Sequence, residues 1–242
     1  MQNQFDPRTT GVNAATVGVP RAARDAGLRS YMLSVYNYMA TGVLLTGIVA
    51  LLFATSGLAE QVLVTPLRWL IILAPLGFVM AMSFGLNRMK TSTLQALFWA
   101  FAVAMGLSMS SIFLVYTGVS IAQTFFAVAA GFAGLSLYGY TTKRDLSAMG
   151  TFFIMGVVGL FVAILVNMFL RSPGLNLAIS ALGVLIFAGL TAYDTQKIKS
   201  IYFAVAGNGE AMAKTAVIGA LNLYLDFINM FLFLLRFMGD RR

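Results

Sequence analysis

Seven long apolar stretches, separated by short polar segments, follow one another along the sequence. At a rise of about 1.5 Å per residue, each stretch is long enough for a helix to cross the roughly 30 Å hydrocarbon core of a bilayer. The pattern therefore predicts an all-α membrane protein, a bundle of seven transmembrane helices. The predicted spans are residues 30–54, 67–86, 92–116, 119–141, 147–170, 175–199 and 216–238.

The seventh predicted span differs from the others in how its polar residues are placed. Intervals of four, three and seven positions put them on one face of a helix: Asn222, Asp226, Asn229 and Arg236. A carboxylate in mid-membrane is costly unless it faces protein or water. We therefore expect this helix to stand at the centre of the bundle, with Asn222 and Asn229 lining a polar pathway.

Residues 1–28 are polar and lack the apolar core of a signal peptide. This composition predicts a disordered tail ahead of a transmembrane domain of residues 29–242. Most of the lysines and arginines fall on the side of the membrane shared with this tail, which favours a cytoplasmic N terminus. The basic ending Arg241-Arg242 runs against this assignment, because it would then lie outside; a re-entrant last helix would remove the conflict.

Two further local signals concern the connections and the packing of the spans. Gly207-Asn208-Gly209 indicates a turn, so segment 200–215 is predicted to be a loop. Small residues spaced by four in the third and fourth spans predict close helix packing. They are Ala102, Gly106 and Ser110 in the third span, and Ala127 and Gly131 in the fourth.

Composition narrows the possible chemistry. Only 10% of the 242 residues are charged, against about 25% in soluble domains. The sequence has no cysteine and no histidine, which removes disulfides, thiol catalysis and the commonest metal ligand. The net charge of +8 is typical of basic residues at the ends of membrane helices, so no nucleic-acid partner is expected. We expect neither an enzyme nor a bound cofactor.

Of the eight acidic residues, two fall inside predicted spans, Asp194 in the sixth and Asp226 in the seventh. If these spans pack antiparallel, the two carboxyl groups can share one proton, because two close carboxylates resist joint ionisation. Such a pair could sense pH or bind Ca²⁺ through oxygen ligands. They meet only if the sixth span continues toward Ile201 or the seventh begins nearer Ile218.

Two basic residues lie on the same side of the membrane as Asp194. Lys197 follows Asp194 by one helical turn, so Asp194 could instead be an interfacial acid paired with that lysine. Arg88 ends the second span and could reach the acidic pair as a cationic latch that holds a pathway shut. The alternative role for Arg88 is that of an anchor whose charge reaches the membrane surface.

The segments AYDTQKIK and LNLYLDFINMFLFLLRFMG, in the sixth and seventh spans, resemble the Bax inhibitor-1 family, also called the transmembrane BAX inhibitor motif family, and its bacterial YccA-like branch. The resemblance is strongest over residues 180–239. It implies a pH-sensitive calcium leak channel of the bacterial inner membrane with the last helix central. It also implies that Asp194 and Asp226 form a proton-sharing gate, with Arg88 interacting with them.

Three other functions remain open from the sequence. A proton-coupled cation exchanger would need the same titrating acids in a polar path. Some bacterial relatives are known chiefly as partners of a membrane-bound AAA protease, so this chain could be a non-conducting regulator that makes its contact through residues 1–28. An intramembrane aspartyl protease is disfavoured, because Asp226 lies in LYLDFIN rather than beside the glycines that let a substrate backbone approach.

Overall fold

The structure, a computed structural model, describes residues 21–86 and 88–242, and these form α-helices joined by short turns. Seven of the described segments are long and apolar enough to cross a membrane, with α4 and α5 together making one of them. This confirms the predicted seven-helix bundle. The helices are α1 (Arg21–Thr55), α2 (Leu58–Leu63), α3 (Leu67–Gly85), α4 (Thr91–Met109), α5 (Ser111–Val115), α6 (Gly118–Thr141), α7 (Ser147–Leu170), α8 (Pro173–Val205) and α9 (Gly209–Met238).

The connection between the sixth and seventh spans is much shorter than predicted. Helix α8 continues to Val205 and α9 begins at Gly209, so the predicted loop 200–215 is wrong and the turn comprises only residues 206–208. Gly207 takes a positive φ of 93°, which glycine adopts without steric cost. The side chain of Asn208 accepts a hydrogen bond from the backbone N of Ala211 at 3.0 Å and caps α9.

Helix α1 also begins earlier than the sequence predicts. Residues 21–28, assigned above to the polar tail, are helical, whereas residues 1–20 lie outside the described part of the chain. This end of α1 contacts the α8–α9 hairpin through two tyrosines. The hydroxyl of Tyr202 donates to the carbonyl of Arg24 at 3.4 Å, and that of Tyr31 donates to Thr215 Oγ1 at 3.2 Å.

The C terminus is held at the opposite end of the bundle. The backbone N of Thr117 donates to the carbonyl of Asp240 at 3.1 Å, and that of Arg242 donates to the carbonyl of Val115 at 2.9 Å. Helix α9 is one continuous helix of 30 residues, so it does not turn back as a re-entrant segment would. The start of α1 and the C terminus therefore lie at opposite ends, as an odd number of crossings requires.

Burial is distributed unevenly over the spans. In its most apolar window α9 is 67% buried, against 39% for α8 and 6% for α7. Helix α9 packs against α1, α4, α6 and α8, whereas α7 packs mainly against α8. Since apolar side chains are stable against lipid, the low burial of α7 fits an outer position, whereas α9 is the most buried of the seven spans.

Of the two predicted small-residue ridges, one is confirmed and the other is not. The ridge of α4 is confirmed, because a Cβ at Gly106 would lie 2.8 Å from the carbonyl O of Thr46 on α1. The ridge of α6 is wrong for this fold. Ala127 is exposed, and a Cβ at Gly131 would meet nothing within 4 Å. The close approach of α6 is made elsewhere along that helix, at Gly139.

Gly139 lets α6 contact the backbone of α8, since a Cβ there would lie 2.2 Å from the carbonyl O of Ala192. We expect Gly139→Val to lower the free energy of unfolding by about 1–3 kcal/mol, because the two backbones must separate. Gly134→Val, on the same helix with nothing within 4 Å, is the matched control. The measurement is thermal unfolding in one detergent, and equal melting temperatures for the two variants would contradict this packing.

Candidate functional site

Asp226 lies inside the bundle on α9, with only 4% of its surface exposed. Its Oδ2 atom is buried and has no hydrogen-bond partner within the described residues. A carboxyl group in such a place is costly to ionise unless a nearby charge or a shared proton compensates. Its neighbours on α9, Tyr224 and Phe227, are also buried, so the group faces protein rather than lipid.

Asp194 reaches the same region from α8. Two contacts fix the antiparallel register of α8 and α9: Gly219 lies against Ile198, and Gly183 lies against Phe233. In this register Asp194 is level with about residue 223, roughly 4.5 Å along the axis from Asp226. This places the two carboxyl groups within about one helical turn of each other in depth. The extension of both helices beyond their apolar runs is what brings the acids to similar depths.

Lys197 is the cation that acts on this pair in the structure. It follows Asp194 by one turn of α8 and interacts electrostatically with both carboxyl groups. Its Nζ lies 5.8 Å from the centre of the Tyr193 ring. Among the described residues neither acid has a cationic nitrogen within 4.0 Å, so the lysine acts at a distance rather than as a direct ion pair.

The other predicted site residues are less directly placed. Arg88 is exposed in the turn between α3 and α4, where its backbone N donates to the carbonyl of Gly85 at 2.9 Å. In the described part of the chain it makes no ion pair with either acid. Asn229 donates through Nδ2 to the carbonyl of Leu225 in its own helix at 2.8 Å. Asn222 is half-buried and, by register, level with Asp194.

Hydrogen bonds from α8 to its neighbours hold Asp194 in position. The residue that follows, Thr195, is buried and donates through its hydroxyl to Ser136 Oγ on α6 at 3.4 Å. Gln196 accepts at Oε1 from the backbone N of Leu146 at 2.9 Å and donates through Nε2 to the carbonyl of Arg144 at 2.7 Å. The α6–α7 turn and α6 itself are thereby fixed to the segment of α8 that carries the acid.

A buried polar chain beside Asp226 was missed by the sequence reasoning. Thr46 on α1 donates to the carbonyl of Ala102 on α4 at 2.9 Å, and the Tyr224 hydroxyl therefore donates to Thr46 Oγ1 at 2.7 Å. Phe101 packs against the edge of the Tyr224 ring, with centroids 5.0 Å apart. A threonine and a tyrosine inside apolar runs give no sequence signal that would distinguish them from ordinary span residues.

The acid pair alone is a sparse cation site. No group of three or more acidic, histidine or cysteine side chains that could hold a metal occurs among residues 21–86 and 88–242. Ca²⁺ takes about six to eight oxygen ligands, so two carboxyl groups with a neighbouring asparagine, which offer five oxygens at most, do not supply all of them. This arrangement suits brief contact with a passing, partly hydrated cation better than tight binding.

Seven helices that are long and apolar enough to cross a membrane, with a buried carboxyl group on the last of them, define a multi-pass membrane protein. The chain belongs to the Bax inhibitor-1 family, since the family model described as inhibitor of apoptosis-promoting Bax1 matches residues 28–242. The predicted resemblance is thereby confirmed.

Three relatives show how far the similarity extends. The chain is 44% identical over 220 residues to the inner membrane protein YbhL of Escherichia coli, covering 90% of this chain and 94% of that protein. It is 49% identical over 219 residues to an uncharacterized protein of Rickettsia prowazekii, covering 90% and 92%. It is 35% identical over 221 residues to an uncharacterized membrane protein of Streptococcus pyogenes, covering 89% and 94%.

The absence of native cysteines allows a direct test of the carboxyl geometry. We expect the Asp194→Cys/Asp226→Cys variant to be joined in most molecules by a short bifunctional thiol reagent, because the register of α8 and α9 places the two positions within about one helical turn of each other in depth. Asp194→Cys/Phe237→Cys is the control, since residue 237 lies about 16 Å further along α9. Equal cross-linking of both pairs, read from peptide mass spectra, would contradict the register.

Proposed function

We propose that this protein is a pH-sensitive calcium or cation leak channel of the bacterial inner membrane, oriented with its N terminus in the cytoplasm, and not an enzyme. Asp194 and Asp226 share one proton when the path is closed. The observation that carries this proposal is that Asp226 on α9 is almost inaccessible, while Asp194 on the adjacent helix α8 lies within about one helical turn of it in depth.

The gating step follows from the electrostatics of two close acids. With one proton between them, the carboxyl groups carry a single negative charge and attract each other through a hydrogen bond. Loss of that proton leaves two like charges in a region of low polarity, and their repulsion favours separation of α8 and α9. Acid therefore closes the path and alkali opens it, with Asn222 and Asn229 lining the opened route.

Arg88 and Lys197 have different places in this mechanism. Lys197 supplies positive charge to the pair in the present conformation. Arg88 is exposed in the α3–α4 turn, so its proposed role as a latch belongs to another conformation, in which α3 brings the guanidinium to the carboxylates. A complete shift of a two-state gate from 1:99 to 99:1 needs about 5.5 kcal/mol, of which the Lys197 and Arg88 contacts supply only a part.

The first test is Ca²⁺ influx into proteoliposomes between pH 5 and pH 8. Wild-type flux is expected to rise with pH, by up to about tenfold for each unit over which the shared proton is lost. In the Asp194→Asn/Asp226→Asn variant no proton is exchanged, so flux is expected to be independent of pH. A full pH response retained in this variant would refute the gate assignment.

Asp145→Asn is the matched control for the loss of one acidic group. Asp145 lies in the turn before α7, where hydrogen bonds from Ser147 hold the pKa of its carboxyl below the usual range. It is therefore ionised from pH 5 to pH 8 and its replacement removes charge without removing a titration in that range. This variant is expected to keep the wild-type pH profile.

A second test concerns the cation beside the pair. Lys197→Met removes a positive charge that favours ionised carboxylates, so flux should begin at a pH about half a unit higher, a modest shift because the lysine is exposed and screened. Lys197→Arg keeps the charge and should keep the wild-type midpoint. If the Met and Arg variants have the same midpoint, Lys197 does not act on the gate.

The same vesicle assay distinguishes a leak channel from the two alternative functions. A proton-coupled exchanger would carry protons outward as Ca²⁺ enters and would respond to an imposed pH gradient without a change in mean pH. A folded protein that gives no flux above empty vesicles at any pH would favour the non-conducting partner of a membrane-bound AAA protease. In that case the two acids would be a buried structural pair.

A further inference from the structure

A crevice opens between α1 and α6 on the outer surface of the bundle. Its volume is about 470 Å³, within the range of about 300–1,000 Å³ typical of small-molecule sites. Its walls are apolar: Met32 and Leu33 from α1, and Phe132, Ala133 and Leu137 from α6. Because both helices cross the membrane, the crevice opens toward lipid.

One end of the crevice carries polar groups. Arg29 of α1 and Tyr140 of α6 complete the lining there, whereas Tyr36 lies about 10 Å further along α1, toward the inner part of the crevice. Within the described residues, the guanidinium of Arg29 and the hydroxyls of Tyr36 and Tyr140 make no hydrogen bond to another protein group. Lys199 brings a second cation to this end, since its Nζ donates to the carbonyl of Tyr140 at 2.7 Å and lies 5.0 Å from that ring's centre.

The polar end lies at the level of the membrane surface. Helix α6 ends at Thr141, directly after Tyr140, and tyrosine and arginine are both common at the headgroup level. From Tyr140 to Phe132 the crevice follows α6 toward the membrane interior for about 12 Å. The site thus combines a cation and the Tyr140 hydroxyl at the surface with an apolar channel leading inward.

We propose that this crevice binds one anionic membrane phospholipid. The phosphate accepts hydrogen bonds from Arg29 and the Tyr140 hydroxyl, Lys199 adds to the local positive charge, and one acyl chain lies between α1 and α6. Charge complementarity selects an anionic headgroup, and the apolar walls select a chain-bearing molecule over a soluble anion. This site does not depend on the proposed channel function.

The bound lipid would touch side chains next to both acids. Phe132, at the inner end of the crevice, packs on Phe227 of α9 with ring centroids 5.6 Å apart, and Phe227 follows Asp226. Ser136, which also lines the crevice, accepts the hydrogen bond of Thr195, and Thr195 follows Asp194. A lipid in the crevice would therefore affect the positions of α8 and α9.

The test is native mass spectrometry of the full chain released from nanodiscs of equal phosphatidylglycerol and phosphatidylcholine. Wild type is expected to retain one phosphatidylglycerol. Arg29→Ala should lower its occupancy about fivefold, the contribution of one basic residue toward an anionic lipid. Ala133→Trp, which fills the channel from an exposed position on α6, should abolish retention.

Two controls match these changes. Arg68→Ala removes an exposed arginine outside the crevice, and Ala127→Trp adds the same bulk to an exposed position on the far side of α6. Both should keep wild-type occupancy and, with thermal melting, show that loss of lipid is not loss of fold. Wild-type occupancy in both Arg29→Ala and Ala133→Trp would overturn the proposal.

Adding inorganic phosphate alone distinguishes the two possible ligands of the polar end, a phospholipid headgroup and free phosphate. If millimolar phosphate displaces the lipid and binds in its place, the crevice is a site for soluble anions and the lipid proposal fails. Equal retention of phosphatidylcholine and phosphatidylglycerol would also overturn it, because the polar end would then have no preference for negative charge. Retention of phosphatidylglycerol in the presence of phosphate would support it.

Discussion

The burial of the Asp226 carboxyl group is the constraint on which the arrangement of the bundle depends. A carboxyl group in the middle of an apolar helix cannot face lipid without a large cost, so α9 must be enclosed by other helices. The enclosing helices are α1, α4, α6 and α8, and they leave α9 as the most buried span. Helix α7 carries no acid within its span and can remain largely exposed to lipid.

Most of the architecture could be predicted because a bilayer admits few solutions: each apolar run of sufficient length must be a helix that crosses. The predictions that were wrong concern segments in which a helix continues beyond its apolar run. Segment 200–215 contains polar residues, yet it is helical except at residues 206–208, because backbone hydrogen bonding continues until Gly207 and Asn208 end it. The prediction that residues 21–28 belong to the polar tail was wrong for the same reason, because α1 is already helical before its apolar run begins.

The candidate site was only partly accessible to sequence reasoning. The two acids could be singled out because charged residues are rare within spans, and the register of α8 and α9 places them at similar depths. The sequence could not show in which direction each side chain points. Asn229 shares the polar face of α9 but bonds to its own helix, and Arg88 lies on the expected side but points to solvent. The Tyr224–Thr46 hydrogen bond depends on packing between helices distant in sequence.

Packing in this bundle is tight on one side of α6 and open on the other, and this difference has a mechanical consequence. Gly139 brings α6 against the backbone of α8, and Gly219 brings α9 against Ile198, so α6, α8 and α9 have little free space between them. In the proposed gating, a change of charge at Asp194 and Asp226 would therefore act on a closely packed unit rather than being absorbed locally. The crevice between α1 and α6 leaves free space on the other side of α6, next to that unit.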